Sequence, residues 1–301
     1  MKKVSLAMLL VLLFLSKTDA QISNLVTRIN DVIRTKNAVV GVAIGGNNGR
    51  DTVSINGSNH LPMQSVFKFP IALAILSEVD KGKFSLKQKI KIEQKEMQPD
   101  LYSPIREKYP QGVTLTLAEI LEYTVSQSDN VGCDVLLRLI DGPLVVEDFL
   151  RKKGFQDVDI KINEEVMQRD WDSQFQNWTT PLTANAILTT FYENKNGLLS
   201  KKSYRFIWKI MKGTTTGLKR LRGELPSETV VAHKTGYSGT NKAGITAAVN
   251  DIGLVFLPNG QHFYISVFVT DSKENFETNE KIIADVAKLA WDYFMGLGIR
   301  N

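Results

Sequence analysis

Cysteine is nearly absent: the 301-residue chain holds one, Cys133. A single thiol forms no intramolecular disulfide, so packing and hydrogen bonding must hold the fold without cross-links. Cys133 lies in VGCDVLLRLI, whose apolar pattern predicts a buried helix and a packed, inert thiol. Histidine is scarce as well. His60, His233 and His262 show no paired ligand spacing, so neither a metal site nor a cofactor is expected. No apolar run reaches the roughly 18 residues that a membrane span requires. No long basic run occurs, and a net charge of +5 is too mild to point to nucleic acid. Repeats and low-complexity linkers are missing too. What remains is an ordinary globular composition, 43% hydrophobic and 23% charged, long enough for one large domain or two lobes.

The N-terminus stands apart from this background. Lys2 and Lys3 precede the apolar run Val4–Leu15, and SKTDA then ends in small residues. A positive start, a short apolar stretch and a small residue at Ala20 predict a secretory signal over 1–20, cleaved to release a periplasmic protein beginning near Gln21. No cysteine follows the run, so no lipid anchor is expected. Loss of Lys2, Lys3 and Lys17 together with Asp19 brings the mature charge to +3. The mature chain is expected to be a monomer without membrane contact.

Patterning divides the rest. ISNLVTRINDVIRT has helical spacing, and AVVGVAIGG and DTVSI read as strands joined by a Gly-Asn-rich turn. From Phe67 to about Met211 the signals are mostly helical, and several segments stop at glycine. Strands return in TVVAHKTG, KAGITAAVNDIGLVFLP and HFYISVFVTD, with a hairpin turning on PNG, and NEKIIADVAKLAWDYF closes the chain as a helix. The fold class expected is α/β plus all-α. An antiparallel sheet lobe, 21–62 with 212–301, carries an inserted helical lobe, 63–211, and the cleft between them is the place for a small molecule.

Four stretches carry chemistry. In MQSVFKFP, Ser65 and Lys68 share a helix face, with Cβ atoms about 5–6 Å apart, so the amine can reach the hydroxyl. Alone, that pair is common and fits a surface lysine beside a helix start. SDN, Ser128–Asn130, sits between two helical segments, where the same residue types serve as caps. INEEVMQRDWDSQFQNW, Ile162–Trp178, is polar and has neither period; its tryptophans and Phe175 predict a packed loop, and loops of that length usually function. HKTG, His233–Gly236, ends a strand. Pro70, in a helix starting near Ser65, should bend it, because proline lacks a donor and crowds the carbonyl of Val66.

S-x-x-K, S-D-N, a carboxylate loop and K-T-G, in that order, resemble the class A serine β-lactamases over essentially the whole mature length. SVFKFPIALAILSE, YTVSQSDNVGCD, QNWTTP and VVAHKTG are most similar to the extended-spectrum cephalosporinase branch that includes the VEB and PER enzymes. The resemblance implies hydrolysis of the β-lactam amide of cephalosporins and penicillins through a serine acyl-enzyme. By that resemblance Ser65 is the nucleophile and Lys68 its proton partner. Ser128 relays a proton to the leaving nitrogen, and Glu164 drives hydrolysis of the ester. Backbone N–H groups of Ser65 and Tyr237 form the oxyanion hole. Tyr102, Asn130, Gln168, Lys234, Thr235, Gly236, Tyr237 and Ser238 bind substrate, and Asp129 braces its loop. Glu165 competes with Glu164, since a register shift of one exchanges them.

Two departures from the family pattern stand out. Gln168 occupies a position where Asn or His is usual, and it is expected to hold the hydrolytic water. Ala243 stands where many relatives carry an arginine, and Arg220, rather than Arg222, is expected to supply that guanidinium to the substrate carboxylate. Two rivals share most of these residues: a D-alanyl-D-alanine peptidase, and a penicillin-binding sensor that acylates without turnover. The E-x-x-M-Q run in the loop favours turnover, and the mature chain lacks the membrane segment a sensor needs.

Overall fold

Residues His262–Thr270 are buried almost throughout, yet their side chains divide by parity. Phe263, Ile265, Val267 and Val269 enter one apolar cluster, Tyr264 and Phe268 another. Successive strand side chains point to opposite faces, so this strand must be central, with packing on both sides.

The computed structural model of the chain describes residues 20–46, 49 and 51–296; the expected signal lies outside the described residues, save for Ala20. Helix α1 (20–33) leads into β1 (Val39–Gly46) and β2 (Thr52–Ile55). After β3 (Leu61–Pro62), a 3₁₀ turn at Gln64–Phe67 opens helix α2 (Lys68–Asp80). The hairpin β4 (Lys89–Glu93) and β5 (Gly112–Thr116) encloses the short α3 (Pro104–Lys108). Helices α4 (Leu117–Ser126), α5 (Asn130–Leu139) and α6 (Pro143–Lys152) follow. Next come β6 (Val158–Asp159), one-turn α7 (Glu164–Met167), a second 3₁₀ turn (Asp172–Gln176) and β7 (Trp178–Thr179). Helices α8 (Pro181–Glu193) and α9 (Lys201–Lys212), strands β8 (Val231–Tyr237), β9 (Val249–Phe256) and β10 (His262–Thr270), and helix α10 (Phe276–Phe294) complete the order.

The main sheet runs β2-β1-β10-β9-β8 and is antiparallel throughout. One face packs on α1 and α10, through Leu25, Ile29, Ile283 and Trp291 among others. The other meets the helical body, and α8 lies against it. Gly41 in β1 permits that approach, because a Cβ there would stand 2.6 Å from Leu61 and 2.8 Å from Pro181. Helix α2 is buried on all sides from Lys68 to Leu76, as expected of an element at the centre of a helical body. The amphipathic α9 buries Ile207, Trp208, Ile210 and Met211 and exposes Lys201, Lys202, Lys209 and Lys212.

The expected helix from Ser65 is two pieces. Its first turn is 3₁₀, and α geometry begins at Lys68, so Pro70 sits in the first α turn, where no donor is needed. The β4–β5 hairpin lies inside a stretch whose signals read as mostly helical. The turn between β9 and β10 joins Phe256 to His262 as expected, although β9 begins only at Val249.

Candidate active site

Ser65 is placed by a strained backbone. Gln64, immediately before it, has φ +48°, a left-handed conformation that side chains other than glycine adopt at a cost of about 1–3 kcal/mol. Gln64 is nevertheless buried and tied down, since its Nε2 donates to Gln174 Oε1 at 2.6 Å. Lys68, one turn on, is fully buried, and its ammonium is ringed by acceptors. Nζ donates to Ser65 Oγ at 2.9 Å, to Ser128 O at 2.8 Å and to Asn130 Oδ1. It also stands 2.9 Å from Glu164 Oε1, which lies 3.5 Å from Ser65 Oγ. A lysine amine this deeply buried is tolerated only when its polar neighbours satisfy it, and here these four acceptors do.

Glu164 opens α7, while Glu165 faces solvent and pairs with Arg169 at 3.1 Å. Of the two adjacent acids, only Glu164 points at Ser65. Asn163 caps α7 by accepting from Val166 N, and Asp134 of α5 completes the cap. Its Oδ1 accepts from Glu164 N at 2.8 Å, and its Oδ2 from Glu165 N at 2.9 Å and Asn163 Nδ2 at 3.1 Å. Burial pushes the Asp134 carboxyl up to about 7, and the nearby Glu164 charge adds to the rise. The base of the loop closes on Asn177. Its Oδ1 accepts from Lys161 N and Ile162 N, its Nδ2 donates to Ile162 O, and its own carbonyl accepts from Met63 N at 2.9 Å. The 162–178 segment is therefore packed, as expected, but it contains a helical turn and a 3₁₀ turn that its composition did not reveal.

Ser128 also has a left-handed backbone, φ +61°, between α4 and α5. Its hydroxyl accepts from Lys234 Nζ at 2.9 Å. Lys234 is fully buried and donates otherwise to Thr235 O. Burial holds its amine well below the ordinary lysine range, and the positive charge of Lys68 lowers it further. Asp129 braces the turn: its carboxylate accepts from Ser103 Oγ, Ile105 N at 2.7 Å and Gly132 N at 2.7 Å. Asn130 N donates to Tyr102 O at 3.0 Å, which ties the exposed Tyr102 to the same wall.

The opposite wall is the edge strand β8. Phe256 N donates to Val230 O and Ser238 N to Ala248 O, so even-numbered residues of β8 turn their N–H groups into the sheet. The N–H of Tyr237 therefore points off the sheet edge. The residue before it, Gly236, lies so near the nucleophile's turn that a Cβ there would meet Met63 O at 2.5 Å and Ser65 N at 3.4 Å. Thr235 Oγ1 shares a 2.6 Å hydrogen bond with Thr216 Oγ1, and Ser238 Oγ accepts from Ala248 N. Arg220 is buried. Nε pairs with Glu280 at 3.2 Å, and Nη1 donates to Gly236 O and Asn250 O, each at 2.9 Å, which leaves Nη2 outside these bonds. Arg220 lines the cleft with Ser65, Tyr102, Ser128, Asn130, Gln168, Thr235, Gly236, Tyr237 and Ser238. The cleft measures about 380 Å³, within the range for a small-molecule site. Lys68, Glu164 and Lys234 lie beneath its floor through their bonds to Ser65 and Ser128.

Sequence reasoning missed Asp100 and Thr216, which also line the cleft, along with Asp134 and the Gln64–Gln174 contact. For Asp134 a signal existed, since an acid interrupts the apolar helix VGCDVLLRLI. Cys133 beside it is free and buried, as expected.

A family model described as the beta-lactamase enzyme family matches residues 24–294. The chain is 54% identical to Beta-lactamase VEB-1 of Pseudomonas aeruginosa over 98% of each chain. It is 41% identical to Extended-spectrum beta-lactamase PER-1 of the same organism, over 92% of this chain and 89% of that one. The crystal structure of a beta-lactamase from Chitinophaga pinensis superposes with a TM-score of 0.87 at 50% identity, covering 89% of this chain and 98% of that one. A family match over most of the chain and identities of 54% and 41% to these relatives show that the chain belongs to the beta-lactamase enzyme family, as a class A serine enzyme.

Proposed function

We propose that this class A β-lactamase opens the lactam ring with Ser65 and hydrolyses the resulting ester with water activated by Glu164. The observation that carries the reading is the buried triangle in which Lys68 Nζ stands 2.9 Å from both Ser65 Oγ and Glu164 Oε1. Ser65 Oγ attacks the lactam carbonyl carbon. Lys68 Nζ and Glu164 Oε1, at 2.9 and 3.5 Å, both reach the proton it loses. The N–H groups of Ser65 and Tyr237 receive the developing oxyanion, and one such donor is worth about 2.7–4 kcal/mol in the transition state. The C–N bond then breaks, and Ser128 Oγ donates its proton to the leaving nitrogen and regains one as the proton taken from Ser65 is passed on, which restores the acylation base. A hydroxyl that accepts from Lys234 while donating elsewhere can pass a proton in this way.

The acyl-enzyme is the branch point. Glu164 takes a proton from water, hydroxide adds to the ester carbonyl, and the bond between the acyl carbon and Ser65 Oγ breaks as Glu164 returns the proton to Oγ. General-base help of this kind is worth about 10²–10⁴ in rate. Gln168, exposed at the end of α7 and lining the cleft, holds that water. Arg220, Lys234 and Thr235 receive the substrate carboxylate, Asn130 the side-chain amide, and Tyr102 forms an aromatic wall. The substrates are cephalosporins and penicillins, and resistance to them is the consequence. No metal or cofactor enters this scheme.

The wider reading is a periplasmic monomer released from a signal over 1–20. Among the described residues no helix is long and apolar enough to cross a membrane. A division into an α/β lobe, 21–62 with 212–301, and a helical lobe, 63–211, is supported by the two apolar clusters on opposite faces of the sheet. A chromogenic cephalosporin tests the function: many turnovers per enzyme are expected, and a single stoichiometric burst would instead indicate a peptidase or sensor.

A further inference from the structure

The segment that carries Glu164 is held to the body at several points, and one of them touches the nucleophile's own turn. Gln64 and Gln174 are 110 residues apart, 5% and 4% exposed, and joined by a 2.6 Å bond from Nε2 to Oε1. Gln174 is itself fixed, because its Nε2 donates to Trp171 O at 2.6 Å. Gln64 is fixed by its left-handed backbone, and its Cβ lies 3.1 Å from where Gly236 would carry a Cβ. A buried amide pair of this kind has few alternative partners, and breaking it leaves a polar group without water. The bridge therefore spans the gap between the residue preceding Ser65 and the distal arm of the loop, while Asp134 holds the proximal arm.

We propose that the Gln64–Gln174 bridge is a positioning device for the second half-reaction. It sets the distance between Ser65 and Glu164 so that the carboxylate stays aimed at the ester. The inference rests on Glu164 being the base for hydrolysis of the acyl-enzyme. Acylation has two groups within reach of the Ser65 proton, Lys68 as well as Glu164, and Lys68 is held by Ser128 and Asn130 too, so this step tolerates a shift of the loop. Deacylation depends on the loop alone. A displacement of about 1 Å in a catalytic group is enough for losses approaching 10²-fold.

The test is a double-mutant cycle in the whole protein, with Gln64→Met, Gln174→Met and the double variant. Methionine keeps the length of the side chain and removes its hydrogen bonds. Acylation and deacylation rates are read separately by stopped flow with a chromogenic cephalosporin. Gln174→Met, which leaves the Ser65 turn unaltered, is expected to deacylate about tenfold more slowly with acylation within about threefold of the parent. Gln64→Met is expected to deacylate as slowly, and the double variant to deacylate no more slowly than Gln174→Met. Should methionine prevent folding, Gln64→Asn and Gln174→Asn shorten the bridge by one methylene each and are expected to show the same split. Parent-like deacylation in Gln64→Met would overturn the proposal. So would an equal fall in both rates in Gln174→Met, or strictly multiplicative deacylation losses in the double variant. Failure of the Glu164 assignment is distinguishable, because Glu164→Gln would then deacylate normally whatever the bridge does.

Discussion

Lys68 Nζ and Glu164 Oε1 stand 2.9 Å apart with side chains 0% and 2% exposed, directly beneath Ser65. Removing one member of such a pair leaves the other charge buried and alone, at a cost of about 3–5 kcal/mol. The pair thus ties the 162–178 loop to the start of α2, just after the turn that carries Ser65. This is why charge-removing substitutions here need rate measurements on protein shown to be folded.

Gly236 tests the oxyanion arrangement. An added Cβ would meet Met63 O at 2.5 Å, so either β8 or the Ser65 turn must shift. Gly236→Ala is expected to slow acylation by about 10²–10³-fold, the loss typical of an oxyanion donor, with deacylation reduced as well. Acylation at the parent rate, followed by mass spectrometry of the covalent complex, would contradict the placement.

Arg220 tests carboxylate binding. Arg220→Ala is expected to raise KM for cephalosporins about tenfold, and Arg220→Lys to recover little of it, because a point charge cannot reproduce the guanidinium fork. An unchanged KM in steady-state assays would remove the role. The same substitution strands Glu280, so a lower Tm is expected alongside.

Gln168 tests the water site. Gln168→Ala is expected to slow deacylation about tenfold while leaving acylation near the parent rate, since the side chain lines the cleft while Lys68 and Glu164 are the groups that reach Ser65 Oγ. Deacylation at the parent rate in a single-turnover measurement would dismiss it.

Asp134 gives a pH signature. Its carboxyl rises from 3.8 to about 7 in the fold. A raised carboxyl binds its proton more tightly when folded than when unfolded, so its stabilising contribution is complete at low pH and disappears as pH climbs through about 7. Asparagine has no proton to lose. The difference in Tm between Asp134→Asn and the parent should therefore shift in favour of the variant between about pH 5 and about pH 8. A difference that stays flat across that range would contradict the assignment.

The motifs were legible because each is short, ordered and chemically distinctive: Ser65 with Lys68, then Ser128, then Lys234. The sheet was legible from the apolar runs of β9 and β10 and the PNG turn between them. Glu164 and Glu165 could not be separated by type. The separation comes from Asp134, which holds both backbone N–H groups and so turns the first acid inward and the second outward. Four residues of α7 are too few to show a period, whereas KIKIE does alternate polar and apolar residues as a half-buried strand should, a signal passed over among its helical surroundings. The Gln64–Gln174 bridge has no local signature at all, since its partners meet only when the loop folds back onto the nucleophile's turn.

Single-turnover decay of the cephalosporin ester in Glu164→Gln decides between a base on the loop and any other route to hydrolysis. The ester should form and then persist, decaying about 10²–10⁴ times more slowly than in the parent, on protein with a cooperative thermal transition. Release as fast as the parent's would contradict the assignment of Glu164.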